Sequence, residues 1–199
     1  MPRKSTANTR GKIVSAAWKL FYEQGYEDTT VEDIIEISGT SKGSFYHYFD
    51  GKDALLSTLS TLFDEKYEAL QQTFTPEMGA MDRLLYLNEE LFALIEDNVP
   101  VELLARMLST QLHTNGEKHL LDRSRTYYKL LRRIIIAGQE SGELTRERSA
   151  GELVRQYAMC ERALMYDWCL YGGEYSLKHY SGQLLPDFLS GFLAKKEKV

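Results

Sequence analysis

Between Ser41 and Phe49 the chain reads Ser-Lys-Gly-Ser-Phe-Tyr-His-Tyr-Phe. Folded as a two-turn helix, this run turns Phe45 and Phe49 to one side, as core. Ser41, Lys42, Gly43, Ser44, Tyr46 and His47 are then presented on the other. Small side chains there let a backbone come close, while a cation, a phenol and an imidazole reach further. These are the groups that meet base edges and phosphates in the major groove of a duplex. The segment is too short to be a worthwhile core element alone. A second short helical pattern precedes it, Val31-Glu32-Asp33-Ile34-Ile35-Glu36-Ile37-Ser38, and Gly39 breaks the two apart. Two short helices joined by a tight, glycine-containing turn have the spacing of a helix-turn-helix.

The charge distribution fits a polyanion at one end only. The chain has 199 residues, 24 basic and 29 acidic, with a formal net charge of −5. Even so, Arg3, Lys4, Arg10, Lys12 and Lys19 all precede the first acidic residue, Glu23. A basic arm of this kind can meet nucleic acid although the whole chain is acidic. Its alternative is a solvated, frayed terminus.

Other chemistries find little support. His113 and His119 are six residues apart, and no cysteine or carboxylate cluster completes a metal site. The glycines from Gly39 to Gly43 and at Gly172-Gly173 follow no strand, so a phosphate-cradling loop is not expected. Neither an enzyme nor a cofactor is expected. Hydrophobic residues make up 43% and charged residues 27%, an ordinary globular mixture. No apolar run is long enough to span a bilayer, and no apolar stretch follows the basic N-terminus. A cytoplasmic protein without a membrane partner is the expectation. Cys160 and Cys169 fall on one helical pattern, about 13–14 Å apart along its axis. They cannot bridge there and read as reduced, mostly buried thiols.

The elements that must hold these residues are helical nearly throughout. Residues 10 to 24 place Ile13, Ala16, Ala17, Leu20 and Phe21 on one face, and Gly25 suits the left-handed residue that ends the helix. Thr29-Thr30 precede the next helix, where one hydroxyl can cap it. A long helix is expected from about Lys52 to Gln72. Thr75-Pro76-Glu77 reads as a helix start, and Pro100 opens another helix. His113 to Lys118 reads as a loop. Further helices follow over residues 120–140, 147–171 and 176–193, and Pro186 predicts a kink or a boundary in the last. The sum is an all-α chain of nine helices, with units at residues 1–51 and 52–199. The helix from Lys52 would lever movement in one unit into the other.

The stretch from residue 10 to 56 resembles the N-terminal domain of the TetR/AcrR family of one-component transcriptional regulators. The likeness rests on Leu20-Phe21-Tyr22-Glu23-Gln24-Gly25-Tyr26, on Thr29-Thr30 and Ile34, on the run from Ser41 to Phe49, and on Lys52 and Leu55. A weaker likeness lies in Gly138-Gln139-Glu140-Ser141-Gly142-Glu143-Leu144. Ile35, Ser38 and Thr40 depart from the family's usual Ala, Ala and Val. Ile35 should be buried against Leu20 or Phe45, and Ser38 and Thr40 should bond local backbone.

The resemblance implies roles for particular residues. Thr30, with Thr29, would offer a helix N-terminus to a phosphate. Tyr46 and Lys52 would contact phosphates. Lys42, Ser44 and His47 would face base edges or the groove, and Arg3, Lys4 and Arg10 would follow the backbone or enter a minor groove. His47 as a plain surface histidine, Lys52 as a solvated lysine and Thr30 as a cap alone are the alternatives.

A palindrome needs two recognition helices, usually supplied by a two-fold dimer. The resemblance implies a homodimer seam through residues 147–171 and 176–193. It also implies an effector chamber among the middle helices, for which Tyr86, Phe92, Met107, Tyr127, Tyr128, Cys160 and Trp168 are candidates, together with Met159 and Tyr166. Glu96, Arg106, Gln111 and His113 are possible polar anchors. With 13 tyrosines the chain is rich in side chains that join apolar area to a hydroxyl. The expected function is a regulator, most simply a repressor, released from a palindromic operator by a small, partly apolar effector. An activator of the same fold, or a helical protein-interaction module, is the alternative.

Overall fold

A computed structural model describes residues 6–113 and 118–195, with side chains from Thr9 onward. The described residues form ten α-helices and one 3-10 turn: α1 Thr6–Glu23, α2 Val31–Ser38, α3 Lys42–Tyr48, α4 Lys52–Leu56, α5 Leu59–Gln71, α6 Ala80–Asn98, α7 Val101–His113, the turn His119–Leu121, α8 Thr126–Glu140, α9 Ala150–Leu170 and α10 Leu177–Ser190. The fold is all-α. The one β-type contact among these residues is an isolated bridge between Leu144 and Leu193.

The count exceeds nine because the helix expected over residues 52–72 is broken at Ser57-Thr58. The hydroxyls of Ser57, Thr58 and Ser60 each donate to the carbonyl three residues back, at 2.7, 2.6 and 2.6 Å. Such bonds compete with the helical ladder and bend it. Thr58 Oγ1 also accepts from Trp18 Nε1 of α1 at 2.8 Å. Counted as one element, α4 and α5 restore the expected nine.

Two other boundaries differ. The helix expected to open at Thr75-Pro76-Glu77 begins at Ala80 instead. Its first N–H groups need acceptors, and the Glu143 carboxylate supplies them, at 2.6 Å from Ala80 N and 2.8 Å from Met81 N. Pro186 does not divide α10, which runs through it from Leu177 to Ser190. The proline removes one N–H from the ladder there, and the residue four back is Gly182, which has open space where a Cβ would stand.

The segment from Gly138 to Leu144 has a structural logic. Gly138 on α8 lies so close to α6 that an added Cβ would stand 2.5 Å from the Ala80 Cβ and 2.7 Å from Leu144. Gly142 takes a positive φ of 79° and turns the chain. Glu143 then reaches the start of α6. Helix α10 also packs on α6, α8 lies on α9, and α5 covers α8.

At the middle of this bundle α9 buries a carboxyl. Glu161 accepts from Asn88 Nδ2 at 3.0 Å and from Tyr127 Oη at 2.6 Å. Burial raises its pKa, while the hydrogen bonds and the nearby Arg162 charge oppose the rise. Tyr67, Tyr127 and Tyr157 surround it, all held well above the usual tyrosine range by burial. Cys160 beside it and Cys169 are both free thiols, raised by burial to about 11.

Two stability outcomes are expected. Gly138→Ala should destabilise the fold by about 1–3 kcal/mol, because backbone must shift to admit the methyl group, and thermal unfolding would measure it. The folded protein holds the Glu161 proton more tightly than the unfolded chain does. Stability should therefore fall as pH rises from the ordinary glutamate value through the raised one. Glu161→Gln should flatten that part of the pH–stability curve in denaturant titrations.

Candidate nucleic-acid interface

Helices α1, α2 and α3 pack around Phe45, which is 0% exposed. Its ring meets Phe49 at 5.9 Å, and Ile13, Ala17, Leu20 and Ile34 are buried in the same core. Each short helix is pinned at its start. Thr30 accepts from Asp33 N at 3.1 Å, and Asp33 accepts from Thr30 N at 2.8 Å. Gly39 then ends α2 in the left-handed conformation, φ 62°. Ser41 accepts from Ser44 N at 3.1 Å and caps α3.

With Phe45 turned inward, the opposite face of α3 meets solvent. Lys42, Gly43, Tyr46 and His47 are exposed, Tyr46 to 47%, and Ser44 is half-buried. The Tyr46 ring lies edge-on to Phe45, 5.3 Å between centroids. His47 packs against Tyr48 at 4.8 Å. Lys42 forms an exposed ion pair with Glu32 of α2, at 2.9 Å. The pair raises the lysine's pKa and lowers the carboxylate's. A surface pair of this kind is worth little and is readily exchanged. Gly43 has room for a side chain, since an added Cβ would find only Ser41 Oγ, at 4.0 Å. Nothing inside the protein requires glycine at this place.

Other expected contacts are placed differently. Thr29 is 1% exposed, and its hydroxyl donates to Gly25 O at 2.7 Å, so it is a buried brace and not a surface group. Thr30 is exposed at the start of α2. Lys52 is not a free cation at the surface either. Its ammonium donates to the carbonyls of Tyr26 at 2.6 Å, Glu27 at 3.3 Å and Thr29 at 2.8 Å, and lies 4.2 Å from the centre of the Tyr26 ring. These carbonyls of the loop between α1 and α2 claim the charge, and Tyr26 O also accepts from Thr29 N at 3.3 Å. Arg10 lies over the Phe49 ring at 5.5 Å. Arg3 and Lys4 lie outside the described residues. Ile35 is half-buried, because Ile34 fills the core position instead, and Ser38 donates to Ile35 O at 3.2 Å.

The same loop ties α1–α3 to the rest of the chain. Tyr26 donates to Asp53, and its ring is close to both Lys52 and Arg106, whose guanidinium is 4.7 Å from the ring centre. Arg106 of α7 also pairs with Glu27. Tyr22 donates to Asn98 O at the end of α6. Sequence periodicity could not find this joint, since its members come from four separate segments. Arg106 is thereby a strut and not an anchor in a chamber.

The seven aromatic and sulfur residues expected in a chamber do not surround one cavity. Phe92, Met107 and Trp168 are buried in the core, and Trp168 donates to Tyr175 O at 2.8 Å. Tyr86 is half-buried beside Thr73, and Cys160 is buried beside Glu161. Tyr127 lines a small inner cavity of about 30 Å³, and Tyr128 lines an outer cleft of about 510 Å³. Of the remaining possible anchors, Glu96 accepts from Ser176 and from Lys178 N, Gln111 accepts from Leu120 N, and His113 is exposed.

Helices α9 and α10 each carry an apolar stripe on their outer side. On α9 it is Met159, Tyr166 and Leu170, the last 67% exposed; on α10 it is Tyr180, Leu184 and Phe188, four residues apart. Their inner sides, with Leu153, Tyr157, Leu164, Leu177, Leu185 and Leu189, belong to the core. No helix among the described residues is long and apolar enough to cross a membrane.

Comparison with known proteins agrees with this arrangement. Residues 13–59 match the family model for bacterial regulatory proteins of the tetR family. The chain is 26% identical to the HTH-type transcriptional regulator TtgR of Pseudomonas putida, over 74% of this chain and 76% of that protein. It is 47% identical over 45 residues to an HTH-type transcriptional regulator of Lactococcus lactis, spanning only 23% of either chain. In fold it is similar to the FadR repressor of Thermus thermophilus, solved with lauroyl-CoA, at a TM-score of 0.79 and 22% identity over 96% of this chain and 98% of that one. The matched helices are those that expose the outer face of α3, and residues 13–59 are similar to the N-terminal region of bacterial regulatory proteins of the tetR family.

Proposed function

We propose that this protein is a ligand-responsive regulator that binds a palindromic operator as a homodimer, and that a small, partly apolar effector releases it. The observation that carries the reading is α3. It is anchored by Phe45 and offers Lys42, Gly43, Ser44, Tyr46 and His47 as one outward set. Residues 1–51 then form the DNA-binding unit, with Thr30 and the N-terminus of α2 beside a phosphate. Lys42, Ser44 and His47 face bases, Tyr46 donates to a phosphate, and Gly43 lets the α3 backbone approach. Arg3 and Lys4 extend the contact along the duplex. Lys52 acts at one remove, by holding the loop that positions α2.

The outer stripes of α9 and α10 support a four-helix seam between two copies. Exposed aromatic and aliphatic residues at helical spacing are costly unless something covers them. Residues 52–199 receive the effector. The Thermus neighbour was solved with lauroyl-CoA, and an acyl chain is one effector of the partly apolar kind. Effector binding shifts the population between two dimer states that differ in the spacing of the α3 helices. DNA weakens effector binding by the same factor. The contacts of the Tyr26 ring with Lys52 and Arg106 carry the shift from α7 to α2. Repression follows from occupancy of the operator alone.

Gel-shift titration against the promoter beside the protein's own gene tests the reading. Binding is expected to be sequence-selective and to weaken as salt rises. An absence of sequence preference at physiological salt would remove the regulator assignment. Tyr46→Phe should cost about 1 kcal/mol of affinity, roughly fivefold, on all sequences alike. Gly43→Ala should leave the fold as stable or stabilise it by up to ~1 kcal/mol, yet weaken operator binding. If Gly43→Ala bound the operator normally, α3 would not approach the duplex through that face. Phe188→Glu with Leu184→Glu should convert the dimer to monomer in sedimentation and abolish tight operator binding, with helicity retained.

A further inference from the structure

The chain as a whole is acidic, yet the cleft between α8 and α9 is not. Arg123, Lys129, Arg132, Arg155 and Arg162 line its volume of about 510 Å³, and no acidic side chain is among the described residues that line it. The first four have no carboxylate partner among the described residues. Arg162 donates to Tyr128 Oη at 3.2 Å. The floor between the cations is apolar, made by Leu121, Val154, Ala158 and Met159. Cations held at this density repel one another and lower the cost of bringing an anion in. Guanidinium groups suit phosphate or carboxylate in particular, since their fork can donate two parallel hydrogen bonds.

A second space lies directly inward. Ala158 and Arg162 line both the cleft and the inner cavity, whose other walls include Phe63, Leu91 and Met165. Tyr67 also lines it, and its hydroxyl is buried with no hydrogen-bond partner. A buried unpartnered hydroxyl is costly and rare. It marks a position where a bound molecule would accept or donate a hydrogen bond. Tyr128 stands at the boundary, donating to Leu120 O at 2.8 Å while it accepts from Arg162. At about 30 Å³ the inner cavity holds roughly one water. A longer occupant must part α8 from α9, and so must exchange the Arg162–Tyr128 bond for its own contacts.

We propose that this cleft is the mouth of the effector site and selects an amphiphile with a multiply negative head. The head sits among Arg123, Lys129, Arg132, Arg155 and Arg162, and the apolar tail passes Ala158 into the inner cavity beside Tyr67. The inference rests on the reading of residues 52–199 as effector-binding. It adds the charge class of the ligand, the direction in which it enters, and Arg162 as the group that must turn for entry. Met159 belongs both to the cleft floor and to the outer stripe of α9, so the mouth opens next to the proposed dimer seam. A ligand that parts α8 from α9 thereby moves a helix of that seam.

Calorimetric titration of the full-length protein tests this with three probes. Lauroyl-CoA joins a polyanionic head to a tail, coenzyme A has the head alone, and dodecyltrimethylammonium has a similar tail with a cation. Lauroyl-CoA below its micellar concentration is expected to bind at least a hundredfold more tightly than coenzyme A, and dodecyltrimethylammonium is expected not to bind. Arg132→Glu with Arg155→Glu, both exposed and outside the α3 face, should weaken lauroyl-CoA at least tenfold and leave operator affinity without effector unchanged. Tyr67→Phe should weaken lauroyl-CoA less than the charge reversal does. Equal binding by the wild type and the charge-reversed protein would overturn the proposal, as would tighter binding of the cationic probe. Retention of the protein on phosphatidylglycerol vesicles, with no binding of dispersed lauroyl-CoA, would assign the cleft to a membrane surface and overturn it too. Gel shift with the same variants separates the two readings: loss of the effector result with operator binding intact defeats only the cleft.

Discussion

The burial of one phenyl ring organises the recognition end of this protein. Phe45 is enclosed by α1 and α2 and by Phe49, which fixes the rotation of α3 about its own axis. A seven-residue helix has too few hydrogen bonds to persist alone. Its orientation therefore comes from packing and not from propensity. With Phe45 inside, the residues before and after it have nowhere to point except outward. Small, cationic and hydroxyl-bearing groups then share one convex face. A single inward side chain decides what the helix can touch.

The loop between α1 and α2 turns this local arrangement into a mechanical one. Lys52 donates to three carbonyls of the turn, and its charge also rests on the Tyr26 ring. Arg106 of α7 brings its guanidinium to 4.7 Å from the centre of the same ring. Cations over an aromatic ring contribute about 0.5–2 kcal/mol each, according to their solvation. That is strong enough to define a geometry and weak enough to change with a modest displacement. A joint of this strength is suited to conveying movement of α7 to α2. The break at Ser57-Thr58 interrupts the continuous helix that the sequence pattern predicts between the two regions.

The bundle itself is held by polar groups in unusual places for a helical core. Glu143 caps α6 from a distant loop, and Gly138 allows α8 to approach it at a spacing no other residue permits. Glu161, Asn88 and Tyr127 form a buried knot beside Tyr67. Such knots are high in cost unless every member is satisfied, and Tyr67 is not. The unsatisfied member lies next to the inner cavity, and the unpaired cations of α8 and α9 lie just outside it. Core polarity and surface charge thus converge on one region of the fold.

Local chemistry made much of this legible in one dimension. Apolar residues at a period of 3.6, glycines at turns and hydroxyls before acidic residues identified the helices, because each signal is carried by neighbours in the chain. The outward set on α3 was readable for the same reason, since Ser41 to Phe49 is a single short element. What depended on distant partners was not readable. Lys52 has the same residue type whether it meets solvent or three carbonyls from residues 26–29. Thr29 and Thr30 are adjacent and chemically identical, yet one is buried and the other exposed. Aromatic residues on the middle helices have the same periodicity whether they fill the core or line a cavity, and most fill the core. The linear order of residues determines which groups a helix can present; only the docking of helices decides which groups are used up by neighbours, because that depends on angles and distances to segments far away in the chain.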